Sequence, residues 1–415
     1  MSSATTGPAP GTSADSRWGP LRHTDFRLLV IGTASSSLGN AIAPVALAFA
    51  VLDLGGSASD LGLVVASFAL AEVITVLFGG VLGDRVSRKL MMEGSAAACA
   101  VSQAVLAVLL IGDWATIPLL TVCGMVTGCL GALSGPSASA MTRFTVPEAD
   151  LPSAIAVRRL LQTSAAVVGF ALGGILVAAV GSGWAIAVDG ATFVLAASTF
   201  ALMRVPHLRA EGIRPSLLAE LTEGFREVFR HTWLWLLISQ ALLYHLFFGG
   251  AQAVLGPIVV GGEFGRAAWG ITLATLMAGF VTGGLVCLRW RPRRGLYVGT
   301  VLLSLTAAFP LSMALSDHLL PILVGAFLHG FGLEIFSVNW DLSIQQRIPE
   351  DKLARVYSLD MVGSFVARPL GLAVTGPVAA AVGFDTWLIV VGSIMGGSAL
   401  LVLLSPAVRH LERAP

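Results

Sequence analysis

The sequence predicts an all-α membrane protein: twelve transmembrane helices in two pseudo-symmetric six-helix bundles around a central cavity. Three observations predict it. Hydrophobic residues make up 55% of the chain and charged ones 12%, against the roughly 25% charged of an average soluble domain. The apolar residues fall into twelve runs, each long enough to supply the ~20 residues that cross a bilayer. The chain also repeats itself: Gly79-Gly80 with Arg88-Lys89 recurs, degraded, as Gly283-Gly284 with Arg293-Arg294 (283 − 79 = 204), and the Val177 to Gly181 stretch recurs from Ala379 to Gly383 (379 − 177 = 202). Two related halves flanking a midplane cavity are the arrangement a transporter needs.

In order, the runs lie at 26–52, 58–82, 90–111, 115–138, 155–180 and 184–203, then at 233–260, 267–289, 296–315, 319–340, 353–382 and 387–407. Residues 1–25 form a tail whose Ser, Thr, Ala, Gly and Pro lack the apolar core of a signal peptide. The bundles are therefore expected at 26–203 and 233–407, joined by a linker at 204–232, with a short tail at 408–415. Within the linker, 217–229 carries apolar residues at helical spacing, as expected of a helix lying on the membrane surface. Pro44, Pro257, Pro310, Pro369 and Pro377 fall inside spans, where neighbouring helices satisfy the freed backbone.

Orientation follows from the cations. Of the 25 Lys and Arg, Arg266 alone falls in a loop on the far side, so the positive-inside rule puts both termini in the cytoplasm and the protein in the cell membrane. Four of the even-numbered spans begin at the outer face with Trp114, Trp184, Trp269 or Trp387 in or beside their first turn, which suits an interfacial aromatic belt. A net charge of +1 gives no field for nucleic acid. Cys99, Cys123, Cys129 and Cys287 lie in apolar runs without metal-ligand spacing, so neither disulfides nor a metal site are expected.

The loop between the second and third spans, Asp84-Arg85-Val86-Ser87-Arg88-Lys89, is too short to be anything but a tight turn at the membrane surface. Three of its six residues are cations. Asp84 follows a helix C-terminus, where an acid is disfavoured unless a cation or another helix's N-terminus meets it. A gate contact outside the hairpin is therefore expected for Asp84.

Charges deep in a bilayer cost about 2.5–3.5 kcal/mol each on insertion scales and mark function by default. Glu72, Glu334 and Arg368 are the deepest in the sequence, and are the candidates for proton coupling. Glu334 and Arg368, on adjacent spans, are equally readable as a structural ion pair. Asn40, Gln240, His245, His329 and Asn339 are candidates for lining the cavity, with bridging hydrogen bonds between helices as the commoner use of such residues. Asp189 and Asp360 read as solvated or capped, and Arg158 and Arg159 as snorkelling to the surface.

The motifs carry a resemblance. Gly80-Val81-Leu82-Gly83-Asp84-Arg85-Val86-Ser87-Arg88-Lys89 resembles the loop motif of the major facilitator superfamily, with Ser87 where that family usually has Gly. The opening, Leu21 to Leu29 followed by Ser36-Ser37-Leu38-Gly39-Asn40, resembles the drug and siderophore exporters that include macrolide efflux and enterobactin-exporter proteins. Gly169-Phe170-Ala171-Leu172-Gly173-Gly174 is similar to the superfamily's antiporter motif without its proline, and Asn40 stands where many relatives carry an acid. The resemblance implies a gating motif at Gly80, Asp84, Arg85, Arg88 and Lys89, and an antiporter-like motif at Gly169, Gly173 and Gly174.

No metalloprotease, nucleophile-elbow or phosphate-loop motif occurs, and the outer loops are too short for a catalytic domain. The expectation is a secondary active transporter and not an enzyme: a monomer driven by a proton gradient, without cofactor, exporting amphipathic small molecules of drug or siderophore type. An importer or uniporter of the same fold is the alternative, as is a sensor or assembly partner that has lost transport.

Overall fold

The structure is a computed structural model that describes residues 19–83, 87–205 and 225–413, apart from the side chains of 76–83, 134–136, 140, 351 and 354. Asp84 and Arg85, and with them the expected gate contact, lie outside the described residues, as does 206–224 of the linker. Among the described residues every regular element is helical, and twelve helices are long and apolar enough to span. They are α1 (Thr24–Asp53), α2 (Ala58–Gly83), α3 (Arg88–Ile111), α4 (Ile117–Met141), α5 (Leu151–Val180) and α6 (Ser182–Leu202), then α7 (Thr232–Phe264), α8 (Arg266–Arg289), α9 (Gly295–Leu315), α10 (Leu319–Arg347), α11 (Glu350–Phe365 and Arg368–Val382) and α12 (Phe384–Val402). Both ends of an even-numbered array lie on one side, here called the terminal face.

Two turns of the first half recur in the second. The positive-φ glycines Gly55 and Gly265 close α1/α2 and α7/α8 (265 − 55 = 210), and Gly181 and Gly383 close α5/α6 and α11/α12 (383 − 181 = 202). Their φ of 78° to 94° is accessible without strain only to glycine. The repeat in the sequence is thus a repeat of turn chemistry at the face opposite the termini.

Prolines divide the halves. In the second half three helices are interrupted, each beside a proline: α7 by a π-turn at Ala251–Leu255 before Pro257, α9 by a 3-10 turn at Ser304–Ala307 before Pro310, and α11 at 366–367 before Pro369. Proline has no N–H to give the carbonyl four residues back, so the ladder loses a bond there and can rearrange. In the first half α1 runs through Pro44 unbroken.

The halves meet along two seams, α2 against α11 and α5 against α8. Glycines permit the approach: the α-hydrogens of Gly62 and Gly376 face the backbones of Leu372 and Ala58, and Gly174 lies directly against Gly270. This is small-residue packing, in which backbone contact replaces side-chain interdigitation. All these contacts lie toward the face opposite the termini. There a single hydrophobic core runs through both halves, from Ile42, Phe49 and Leu61 to Phe248, Trp269 and Phe309. Toward the terminal face the cores are separate, one around Trp233, Trp340 and Val356 in the second half, the others around Met92 and Phe200 and around Phe26 and Val157 in the first. The molecule is joined at one face and divided at the other.

Two sequence expectations change here. Trp269 is 2% exposed, stacked on Phe309 and lying against Gly256, so it is a core residue and no part of an interfacial belt. Trp114 and Trp184 are exposed as a belt requires. Asp189 is fully buried in α6 against Gly39 and near Gln103 and Thr192, with neither carboxyl oxygen in a hydrogen bond among the described residues. It is neither solvated nor capped, because α6 turns it into the bundle rather than toward its own end. Of the linker, 225–230 is helical, with Phe225 and Phe229 exposed and Glu227 and Val228 turned inward.

Candidate functional site: the seam and the cavities between the halves

The break in α11 places the first charge. Arg368 is the first residue after it, and its guanidinium reaches across the α2/α11 seam to Glu72, 3.9 Å away. Sequence reasoning offered Glu334 as the partner, from the adjacent span; the structure pairs Arg368 with Glu72 of the other half instead. The pairing follows from the packing of α11 against α2, which spacing along one helix does not give. Glu72 and Arg368 are each about two-fifths exposed, at 42% and 39%, and they share a cavity of about 230 Å³ with Ala69, Val73, Met361 and Phe365. His245 packs its ring 4.1 Å from Phe365 beside it and gives Nδ1 to the Ala241 carbonyl.

Glu334 sits elsewhere. Its side chain lies against Gly283 and Gly284 of α8, so the degraded echo of Gly79-Gly80 makes room for a carboxylate. Asp360 accepts from Trp340 Nε1 at 3.0 Å and from Ser364.

His329 is not a cavity residue. It is fully buried, its Nδ1 is 2.9 Å from the Thr306 carbonyl and its Nε2 2.8 Å from the Tyr244 hydroxyl. A carbonyl only accepts, so Nδ1 carries the proton and Nε2 accepts from Tyr244. Pro310 is the origin: lacking an N–H, it leaves the carbonyl of Thr306, four residues back, to the imidazole. Asn339 likewise turns inward, donating Nδ2 to Ile335 O and facing Gly295 with Oδ1. Gln240 is buried, with Nε2 unpaired among the described residues. Asn40 is exposed to the space between helices and lines two cavities of the first half.

The larger of those, about 380 Å³, is bounded by α1, α3, α4, α5 and α6 at the terminal-face end. Arg158, expected to snorkel, instead points into the bundle, where it donates to Gln162 Oε1 at 3.1 Å and approaches Ser139 Oγ at 3.5 Å. Arg159 lines the same cavity.

The motif glycines act by contact. Gly169 and Gly173 admit the backbone of α1 at Leu38 and Ile42, and Gly174 admits α8 at Gly270, so the antiporter-like stretch sets how α5 packs in its own half and across the seam. Of the loop motif, Gly80 lies within α2, Arg88 opens α3 behind the N-cap of Ser87, and Lys89 Nζ donates to the carbonyls of Ala201 and Met203 at 2.9 and 2.7 Å, capping the end of α6.

A latch that sequence reasoning missed closes the opposite face. Arg266, at the start of α8, makes a two-pronged contact with Asp53 at the end of α1, with Nη1 to Oδ2 at 2.9 Å, and lies over Phe49. The signal was available: Arg266 is the lone far-side cation, where the positive-inside rule predicts none.

Two glycine-lined seams, a charge pair across one of them, and cores joined at a single face define a membrane transporter of the major facilitator class. The pattern of the transmembrane secretion effector family matches residues 15–296, and the chain belongs to that family of major facilitator transporters, which are not enzymes. Macrolide efflux protein A of Streptococcus pyogenes is 24% identical over 344 residues, covering 80% of this chain and 84% of that protein. An uncharacterised MFS-type transporter of Bacillus subtilis is 27% identical over 347 residues, covering 80% and 81%. Among solved structures, a bacterial homologue of the human lysosomal transporter Spinster, inward-facing and unoccupied, superposes with a TM-score of 0.74 at 16% identity, covering 94% of this chain and 97% of that one. The nucleoside transporter NupG superposes at 0.69 with 13% identity, covering 94% and 99%.

Proposed function

We propose that the protein exports amphipathic small molecules across the cell membrane by alternating access, drawing on the proton gradient, with the terminal face in the cytoplasm. The observation that carries the reading is the Glu72–Arg368 pair across the α2/α11 seam. A carboxylate that takes up a proton loses its attraction to the facing guanidinium, so protonation of Glu72 weakens one contact between the halves and biases the equilibrium between their two arrangements. Support for export comes from the macrolide efflux relatives. The cation-rich terminal face supports the orientation, and the apolar wall of the seam cavity, from Ala69 to Phe365, suits amphipathic cargo. Glu334, which lies against Gly283 and Gly284 of α8, serves as the second protonatable group on the way through.

Uphill accumulation in everted membrane vesicles, over a compound panel and with or without a protonophore, tests the proposal. Proton-driven uptake into everted vesicles is the expected result. Accumulation unaffected by the protonophore would overturn the coupling, and accumulation only in right-side-out vesicles would establish import.

A further inference from the structure

The 380 Å³ cavity of the first half is a site of a different character from the seam. Its lining, among the described residues, holds Arg158, Arg159, Gln162, Asn40 and a set of serines, and no carboxylate. Three of the four serines spend their hydrogens within their own helices: Ser36 and Ser37 donate to Thr33 O, and Ser95 to Met92 O, while Ser139 accepts from Arg158. The donors left for a guest are those of the guanidiniums, of the Gln162 and Asn40 amides and of the Ser139 hydroxyl. Arg158 is 7% exposed; among the described residues its Nε has no hydrogen-bond partner, and its bonds are to the neutral oxygens of Gln162 and Ser139. A guanidinium buried against neutral groups is an unfavourable arrangement unless an anion completes it. The planar fork of an arginine with a free edge matches a carboxylate or a phosphate.

We infer that this cavity binds the oxyanion of the transported molecule, a carboxylate or phosphate on an apolar body, with Arg158 holding it, Gln162 orienting the guanidinium, and Arg159 adding charge at the mouth. The volume lies within the usual range for small-molecule sites, about 300–1,000 Å³, and Met92, Ala96, Phe193 and Phe200 supply an apolar wall. The inference narrows the proposed cargo from amphipathic molecules to amphipathic anions, and so rests on the transport reading for its role but not for its binding chemistry.

The test uses the full-length protein purified into lipid nanodiscs, titrated calorimetrically with 2-naphthoate, 2-naphthyl phosphate and the neutral 2-naphthamide. One or both anions should bind about tenfold or more tightly than the amide, the order a charge-assisted bond supplies. Arg158→Gln should erase that preference, and Arg158→Lys should retain part of it. Gln162→Glu, which gives Arg158 a carboxylate of its own, should erase it while leaving the guanidinium paired, and covers the case in which Arg158→Gln fails to fold. Equal binding of anions and amide, or an anion preference that survives in either folded erasing variant, overturns the site. Binding intact with no efflux would sink export and leave the site standing; efflux of neutral compounds alone would do the reverse.

Discussion

Arg266 and Asp53 join the two halves of the molecule at the face opposite its termini, α8 to α1, with the guanidinium laid over the ring of Phe49. Around this pair the single shared core runs through both halves. Opening that face must break it. Both side chains are more than a third exposed or close to it, at 35% and 40%, so the pair contributes about 0.2–1 kcal/mol, the range for solvent-exposed ion pairs. Arg266→Gln or Asp53→Asn should therefore shift the population toward the form open at this face by up to about fivefold, and the exchanged pair Asp53→Arg with Arg266→Asp should restore it. Distances between spin labels at the ends of α1 and α8 would report the shift. No change in either single variant would leave closure to the glycine seams alone.

Those seams make a stronger prediction. A Cβ at Gly174 would stand 2.8 Å from both the Arg266 carbonyl and the Gly270 Cα, which are backbone atoms that cannot step aside. Gly174→Ala should cost closure about 1–3 kcal/mol, the usual range for overpacking. The same change at Gly124, where a Cβ meets nothing within 4 Å, should be silent. Thiol accessibility of single cysteines placed between α5 and α8 separates the two outcomes.

At the other seam Glu72→Gln mimics the protonated acid. Uphill export should fall by the factor typical of coupling energies, roughly 5- to 150-fold, while counterflow, which needs no gradient, persists. Full proton-driven export in that variant would remove Glu72 from the mechanism.

Glu334→Gln separates the two acids. Were Arg368 as deeply buried as its place in the sequence suggests and Glu334 its partner, loss of Glu334 would strand the cation at about 3–5 kcal/mol and the protein would fold poorly. Because Arg368 faces Glu72, folded yield of Glu334→Gln should stay near wild type by size-exclusion fluorescence. Collapse of the yield would show that Arg368 leans on Glu334 in another conformation.

Glu227, in the short helix before α7, accepts from Lys352 Nζ at 2.8 Å and meets Arg230 and His231. The Lys352 hydrogen bond, reinforced by the charges of Lys352 and Arg230, holds its carboxyl below the usual value of 4.5. A lowered pKa means that the native state binds fewer protons than the unfolded chain. The stabilisation is therefore complete above pH 4.5 and lost as pH falls through the lowered value. The melting temperature of wild type should exceed that of Glu227→Gln by a constant margin from neutral pH down to about pH 5, and the margin should shrink below it. A margin independent of pH down to acid unfolding would mean that the contact is packing, not charge.

Periodicity and composition reach as far as one-dimensional information can. The apolar runs fix the twelve spans, because an unpaired backbone is intolerable in hydrocarbon, and the glycine echoes fix the repeat, because Gly181 and Gly383 occupy turns that only glycine enters without strain. Which charges meet is a question about directions across an interface. The packing of α11 against α2 set Arg368 beside Glu72, the missing N–H of Pro310 left the Thr306 carbonyl to His329, and the inward face of α5 took Arg158 into the bundle. Each of these depends on how a helix is rotated and broken against its neighbours, which the order of residues along a single span leaves open and the packing of two halves decides.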